Sequence, residues 1–287
     1  MMNINKAHKV KTIQQCLNII SNCDSQIIAG GTDLVIKMSD ESIPCTSLVD
    51  ISSVEELSFI EVKNNVVEIG ATTTFAEIIN YKRFPMSMKG FEEAMKSIGS
   101  PQIRNVATLG GNICNGSPAA DSVPVLIVLD AKLKIISLTG ERIVDIDKFF
   151  LGKGKVDLLS DELLKSISFQ MPVSSYQLNF YKYSLRESLA ITLGSLAALI
   201  KVEDNIVKDI KIGPGGFSEF CVKEKEMESR FIDKQLNSEN IEDLIEYANE
   251  LVNERIQEFD HEFQAMKNIT LDTAIRKVIK DGGKYEN

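Results

Sequence analysis

Two pairs of adjacent glycines constrain this 287-residue chain more than any other feature of its sequence. The first pair lies in the segment Ala29-Gly30-Gly31-Thr32-Asp33, after a short strand-like run and before a helical turn that begins at Leu34. Glycine has no Cβ, so backbone N–H groups in such a turn can approach a phosphate closely, and a helix that starts there adds the positive end of its dipole. The order of strand, glycine turn and helix therefore indicates a phosphate-binding loop, although a tight turn with Asp33 as the helix cap has the same pattern.

The second pair lies in a longer segment, Ser100 to Asp121, whose centre reads Ala107-Thr108-Leu109-Gly110-Gly111-Asn112. Connecting segments beyond about 12–15 residues tend to be functional or disordered. Apolar residues recur along this segment and favour packing over disorder: Ile103, Val106, Leu109 and Ile113. Its candidate hydrogen-bonding side chains for a polar ligand are those of Thr108, Asn112 and Asp121. Taken alone, the segment fits a structural loop equally well.

Helix and strand signals alternate along the chain, which divides into three regions, residues 1–56, 57–175 and 176–287. Capping-box spacings predict helices that begin at Thr12 and Thr74. Hydrophobic patterns predict strands in the first two regions at Ser47–Ile51, Val66–Ala71 and Lys132–Leu138. In the third region, a strand from Ile206 to Ile212 is expected to end in a turn at Gly213-Pro214-Gly215-Gly216. An apolar face from Ile241 to Ile256 predicts a long amphipathic helix.

Composition and charge argue against several classes of function. The formal net charge is −9, with lysine and arginine scattered among acidic residues, so no nucleic-acid-binding face is expected. The longest apolar stretch, about Leu189 to Ile200, is shorter than the roughly 20 residues of a membrane span, and the chain begins without an apolar signal segment. A cytoplasmic protein without a membrane span is therefore expected.

The five cysteines form no Cys-x-x-Cys pair and the two histidines lie far apart, which predicts neither a metal site nor a catalytic triad. No catalytic side chain is predicted. Neither the Rossmann fingerprint nor a Walker A pattern occurs, so nucleotide binding requires another fold.

Taken together, Ala29 to Leu34 (AGGTDL) and Pro101 to Ser122 (PQIRNVATLGGNICNGSPAADS) resemble the FAD-binding subunits of molybdenum hydroxylases, most closely those of bacterial xanthine dehydrogenases. The resemblance extends to Asp161–Leu163 (DEL), to Tyr181–Ser188 (YKYSLRES) and to the overall length. It implies an α+β fold with a vanillyl-alcohol-oxidase-type FAD-binding domain. Two α/β subdomains, residues 1–56 and 57–175, would clasp the FAD, and a C-terminal α+β domain, residues 176–287, would pack beside them.

The resemblance also assigns cofactor-binding residues. The pyrophosphate is expected against the first glycine segment, which comprises Ile27, Ile28, Ala29, Gly30, Gly31, Thr32 and Asp33, with Leu34 adjoining it. The ribityl and phosphate portion is expected against Ala107, Thr108, Gly110 and Gly111. Asn112 is expected near the flavin ring, Asp121 at the adenosine ribose and Leu163 at the adenine. Lys182 is expected near the isoalloxazine, where a cation stabilises the anionic reduced flavin. A solvated strand residue is the alternative for Lys182.

The resemblance further implies that the chain is one subunit of a heterotrimer, in which a molybdopterin subunit oxidises a heterocycle or an aldehyde. Electrons then pass through a two-iron, two-sulfur subunit to FAD and commonly on to NAD, so the chain would be an oxidoreductase subunit. Xanthine is favoured as the substrate only by this likeness, and nicotinate, aromatic thioesters and carbon monoxide remain open. The alternatives are a stand-alone flavin reductase or diaphorase and a nucleotide-binding scaffold without a redox role. The stretch Thr273-Ala274-Ile275-Arg276 departs from the aromatic–arginine pair that the family has near its C-terminus.

Overall fold

The computed structural model describes residue 4 and residues 6–40, 47–184, 192–258 and 260–280. Cys45 and the last four residues of the Tyr181–Ser188 motif lie outside these ranges.

The N-terminal part contains a three-stranded parallel sheet with the order β1-β3-β2. The strands are β1 (Lys6–Lys9), β2 (Gln26–Ile28) and β3 (Ser47–Asp50). Helix α1 (Ile13–Ile20) begins where the Thr12 hydroxyl accepts a hydrogen bond from Gln15 N, as the sequence predicted. Helix α2 (Leu34–Ser39) follows the first glycine pair. The turn after β2 therefore points its backbone into the space beyond the carboxyl end of this sheet.

The central part contains a five-stranded antiparallel sheet with the order β4-β5-β10-β6-β7. Its strands are β4 (Ile60–Lys63), β5 (Val66–Gly70), β6 (Lys132–Ser137), β7 (Gly140–Asp145) and β10 (Leu163–Gln170). Five helices connect β5 to β6: α3 (Phe75–Asn80), α4 (Lys89–Lys96), α5 (Pro101–Arg104), α6 (Leu109–Cys114) and α7 (Ser122–Val128). Beyond β7 lie α8 (Ile146–Phe149) and a hairpin of β8 (Phe150–Gly152) and β9 (Lys155–Val156).

The C-terminal part contains an antiparallel sheet of β11 (Gln177–Ser184), β12 (Thr192–Glu203) and β13 (Ile206–Gly215). Asp204 and Asn205 both have positive φ and close the hairpin between β12 and β13, as a tight primed turn requires. Three helices pack with this sheet: α9 (Lys225–Phe231), α10 (Ser238–Arg255) and α11 (His261–Lys280). The amphipathic helix expected from Ile241 to Ile256 is α10, whose buried face includes Leu244 and Val252.

Each part has its own hydrophobic cluster. The N-terminal cluster includes Cys16 and Val49, and Leu163 of β10 joins it from the central sheet. The C-terminal cluster is built from β12, β13 and the three helices. The central cluster also takes in Leu178 and Ala197 of the C-terminal sheet, so the parts are joined by shared apolar packing. The boundaries at residues 56 and 175 stay predictions.

Two of the expectations about local structure are wrong. Gly213 to Gly215 do not form a turn, because β13 continues through them and pairs with Ser195 to Ala197 of β12. β13 pairs only with β12 in this sheet, so Pro214, which has no N–H, costs no second ladder hydrogen bond. The segment from Ser100 to Asp121 is not a plain loop either, since α5 and α6 occupy much of it.

Among the described residues, no helix is long and apolar enough to cross a membrane. In the same part of the chain, no group of three or more His, Cys, Asp or Glu side chains is arranged to hold a metal ion. The cytoplasmic location stays a prediction.

Gly90 tests the contact between the central helices and the C-terminal sheet. An added Cβ would lie 2.5 Å from Leu178 O of β11, which is backbone and cannot move aside cheaply. Gly→Ala in an exposed helix stabilises by up to about 1 kcal/mol, but overpacking costs about 1–3 kcal/mol. Gly90→Ala is therefore expected to lower the free energy of unfolding, measured by urea titration. Lys89→Ala, at a half-exposed neighbour, is the matched control and should change it by no more than about 0.5 kcal/mol. A Gly90→Ala protein as stable as wild type would contradict the close contact.

Candidate functional site

A cavity of about 460 Å³ lies where the N-terminal sheet meets α6 and the start of β10. It has the size of a small-molecule site. All of the residues predicted to bind the cofactor line this cavity, apart from Asp121 and Lys182. Two glycine segments that are about 80 residues apart in sequence therefore form one wall in space.

The first glycine segment supplies hydrogen-bond donors to the cavity. Gly31 has φ +70°, a left-handed conformation that favours glycine and that turns the chain sharply between β2 and α2. Among the described residues, the backbone N–H groups of Gly30, Gly31 and Thr32 have no acceptor. Asp33 occupies the N-cap position of α2 but makes no side-chain cap hydrogen bond. The capping alternative is thus not realised, and successive free N–H groups form a concave anion-binding turn.

The second glycine segment is the N-terminus of α6, and its donors are already used. Leu109 N donates to Thr73 O, and Gly110 N donates to Ala71 O. Gly111 N donates to the hydroxyl of Thr108 at 3.1 Å. The positive end of the α6 dipole still faces the cavity. Direct phosphate hydrogen bonds must therefore come from the first segment, while α6 contributes its field and the Thr108 hydroxyl hydrogen.

The two segments touch because neither has a side chain at the contact. A Cβ on Gly30 would lie 2.0 Å from Val106 O, and a Cβ on Gly110 would lie 2.6 Å from Ala71 O. A larger residue at Gly30 would push the N-terminal sheet away from the backbone of Val106 and Ala107, and one at Gly110 would push α6 away from Ala71, which follows β5. The absence of side chains at these two glycines therefore brings the walls of the cavity together.

The cavity has two chemically different ends. At one end Ile27, Ile51 and Leu163 share the N-terminal hydrophobic cluster, and the loop at residues 158–162 forms the wall. At the other end Phe75 and Asn112 lie against the central core. The Asn112 Oδ1 atom accepts a hydrogen bond from the buried Ser122 hydroxyl at 2.6 Å, which fixes the orientation of the amide. The lining thus combines apolar side chains, free backbone N–H groups and an amide of fixed orientation, a set of groups that suits a dinucleotide.

Asp121 and Lys182 form a buried ion pair instead of lining the cavity. Lys182 Nζ lies 2.7 Å from Asp121 Oδ2 and donates to Ser97 O at 3.0 Å. The Thr192 hydroxyl also donates to the Asp121 carboxylate, at 2.9 Å from Oδ1. Burial raises the pKa of Asp121, while Lys182 and Thr192 oppose that rise. The solvated-strand alternative for Lys182 does not hold, since its side chain is 15% exposed.

Sequence reasoning missed several residues of the wall. Within the part of the chain that the structure describes, Lys37 is the one lysine or arginine that lines the cavity, and its ammonium donates to the Asn115 amide oxygen. It lies one helical turn beyond Asp33, so the spacing of α2 could have identified it. Glu162 lies within the Asp161–Leu163 motif, whose match to the family could have identified it. Leu158 and Leu159 had no such signal, because they reach the cavity only through tertiary packing.

The described residues of the lining offer hydrogen-bonding and apolar groups to a ligand. Cys114 lines the cavity, but burial raises the pKa of its thiol to about 12, so it stays protonated near neutral pH. The cavity can hold a phosphate-bearing ligand between two walls. Any redox chemistry must come from that ligand.

Comparisons with known proteins agree with this geometry. Residues 2–172 match the family described as the FAD-binding domain in molybdopterin dehydrogenase, and residues 179–262 match the CO dehydrogenase flavoprotein C-terminal domain. The chain is 31% identical to the xanthine dehydrogenase FAD-binding subunit of Escherichia coli O157:H7, over 86% of this chain and 85% of that protein. It is 34% identical to the nicotinate dehydrogenase FAD-subunit of Eubacterium barkeri, over 68% of each. A carbon monoxide dehydrogenase structure from Hydrogenophaga pseudoflava superposes with a TM-score of 0.89 at 22% identity, covering 99% of this chain and 100% of that one.

The chain therefore belongs to the family of FAD-binding domains in molybdopterin dehydrogenases. Its cofactor is FAD, and it is an oxidoreductase chain of the molybdenum hydroxylase family. The expected α+β FAD-binding fold is confirmed. The individual FAD contacts assigned from the sequence stay predictions.

Thr108 tests the α6 end of the cavity against a matched helix cap. Thr108 accepts from Gly111 N and lines the cavity, whereas Thr74 accepts from Glu77 N and does not line it. Valine at either position removes one cap and is expected to cost about 1 kcal/mol of stability. Only Thr108→Val should also weaken FAD binding, by about 2- to 10-fold for one lost hydrogen bond. Titration of the apoprotein with FAD, followed by flavin fluorescence, measures this. Equal losses of affinity in both variants would argue against a direct contact.

The Asp121–Lys182 pair is expected to be strongly coupled. Lys182→Met leaves a carboxylate at a residue that is 4% exposed, and an unpaired buried charge costs about 3–5 kcal/mol. The double variant Asp121→Asn/Lys182→Met removes both charges and should recover much of that loss. Urea unfolding of the two single variants and the double variant gives the coupling free energy. Additive losses would mean that the two side chains do not interact.

Proposed function

We propose that this chain is the flavin subunit of a three-subunit molybdenum hydroxylase of the xanthine dehydrogenase type, which passes electrons from a two-iron, two-sulfur cluster to NAD. The observation that carries the proposal is the cavity itself, whose described lining offers free backbone N–H groups for a phosphate and, at Cys114, a thiol that burial keeps protonated. Such a site binds a redox cofactor and leaves the oxidation of the organic substrate to another polypeptide. The relatives' names support this, since two of them are called FAD subunits of xanthine and nicotinate dehydrogenases.

The chain's own residues would orient the dinucleotide. Gly30, Gly31 and Thr32 would donate to the pyrophosphate, with Lys37 balancing part of its charge. Leu163 would contact the adenine, and Asn112 would lie toward the flavin ring. FAD, when bound, supplies the electron-accepting and electron-donating chemistry that these side chains lack.

Asp121 and Lys182 would act from behind the cavity wall. Asp121 directly precedes α7, whose first residue, Ser122, orients Asn112. Lys182 holds Asp121, so its positive charge is fixed close to the flavin end of the site. The expected ribose contact of Asp121 is less favourable than this role, because the carboxylate already has Lys182 and Thr192 as partners. Lys182 would then influence the flavin through its field.

Copurification tests the proposal and separates it from a stand-alone flavin reductase or diaphorase. The chain, tagged and purified at its native level, is expected to bring down an iron–sulfur protein and a molybdopterin protein. In the isolated complex, xanthine should bleach the flavin absorbance, and NAD should restore it. A yellow chain that is isolated without either partner, and that oxidises NADH alone, would favour the reductase instead. Nicotinate bleaching the flavin in place of xanthine would reassign the substrate and leave the electron route intact.

A further inference from the structure

Arg142 of β7 stands behind one wall of the cavity without lining it. Its Nε and Nη2 atoms donate to Glu162 Oε1 and Oε2, both at 2.7 Å. Its Nη1 atom donates to Asp157 Oδ2 at 2.7 Å, and Nη2 also donates to Asp157 O at 2.8 Å. Such two-pronged contacts between a guanidinium and a carboxylate fix geometry as well as charge.

Glu162 connects this cluster to the cavity. The residue is 7% exposed, lines the cavity and accepts a hydrogen bond from Leu159 N at 2.8 Å through Oε2. The hydrogen bond from Arg142 is the main reason that the pKa of Glu162 lies below its ordinary value. One guanidinium therefore ties residues 157, 159 and 162 to the central sheet, and the loop between them has little freedom.

This loop and the start of β10 form an apolar wall, and β5 does not cover the edge of β10 there. Leu158, Leu159, Leu163 and Leu164 all line the cavity. β5 pairs with β10 only from Ser166 to Gln170, so Leu163 and Leu164 have no strand partner on that side. A planar heteroaromatic base requires apolar side chains against its flat faces. It also requires backbone N–H and C=O groups along its edge. Ala29, which directly precedes the turn at Gly30 and Gly31, packs against the same hydrophobic cluster as Leu163. The turn therefore lies beside this end, which suits the adenine of a dinucleotide.

We propose that Arg142 is a positioning residue for the adenine end of the cavity, and that it sets the preference of this chain for FAD over FMN, which lacks the adenosine monophosphate half. The inference rests on the proposed placement of the dinucleotide in the cavity. It assigns the selectivity to a residue that does not touch the ligand. Arg142 acts by holding the 157–162 loop in the one position where Leu163 can meet the base.

The test compares Arg142 with Arg276, which makes a cluster of the same kind away from the cavity. Arg276 Nη1 and Nη2 each lie 2.5 Å from a carboxylate oxygen of Glu242, and its Nε donates to Asp272. Apoprotein variants are titrated with FAD, and the bound FAD is then displaced with FMN. Arg142→Met is expected to raise the dissociation constant for FAD about tenfold, the effect of losing about one hydrogen bond at the base. The FMN concentration that displaces half of the FAD should fall by the same factor. Arg276→Met should leave both values unchanged.

Two further variants separate positioning from general damage. Arg142→Lys keeps the positive charge but cannot make the paired hydrogen bonds to the Glu162 carboxylate. Its preference for FAD over FMN should therefore lie between those of wild type and Arg142→Met. The double variant Arg142→Met/Glu162→Gln removes the unpaired carboxylate, and it should regain unfolding temperature without regaining the preference for FAD. A preference for FAD over FMN that stays at its wild-type value in Arg142→Met overturns the inference, as does an equal loss of selectivity in Arg276→Met. A wild-type chain that does not retain FAD would instead refute the cofactor site itself.

Discussion

The structure depends on the close approach of two backbones, Gly30 against Val106 O. This contact brings the N-terminal parallel sheet onto the helices of the central part, and the cavity is the space that the contact leaves beside it. A side chain at Gly30 would separate the two parts, and the free N–H groups of the first turn would then face water instead of a ligand. A second close approach, Gly110 against Ala71 O, holds α6 on the central sheet in the same way. The absence of side chains at these glycines therefore shapes the site more than any polar contact in it.

The two glycine segments have different duties within that site. The N–H groups of the turn at Gly30–Thr32 are free, whereas those at the N-terminus of α6 donate to Ala71, Thr73 and Thr108. The first segment therefore offers the hydrogen-bond donors for an anion, and α6 offers the positive end of its dipole. This division explains why both segments contribute to the site.

Two clusters of charged residues connect those parts of the chain that the glycine contacts do not join. Asp121 joins the α7 end of the second segment to Lys182 and Thr192, which lie on either side of the connection between β11 and β12. Arg142 does the equivalent work at the opposite end, through Glu162 and Asp157. Both clusters are partly or fully removed from water, where an ion pair keeps its direction and holds a loop in a single position. These ion pairs therefore position the residues around the cofactor, and the redox chemistry comes from the cofactor itself.

Much of this could be read from the amino-acid sequence. Thr12 and Thr74 begin helices because their hydroxyls accept the hydrogen bonds that the spacing to Gln15 and Glu77 predicts. The pairs Gly30-Gly31 and Gly110-Gly111 marked the site in the sequence, but only Gly31 needs glycine for its local conformation, a φ of +70°. Gly30 and Gly110 need it because backbone atoms of Val106 and Ala71 lie against them. The turn expected at Gly213-Pro214-Gly215-Gly216 does not form, because β13 continues through Pro214 at the edge of its sheet. The sequence does not show which strands lie at an edge. Tertiary structure alone decided three features: the burial of Lys182 against Asp121, the hydrogen bonds of Leu109 N and Gly110 N to Thr73 and Ala71, and the contacts of Arg142 with residues 157–162. The partners in these contacts lie from 15 to about 60 residues apart along the chain. Local sequence specifies the conformation of a residue, but it does not specify which distant group will face that residue.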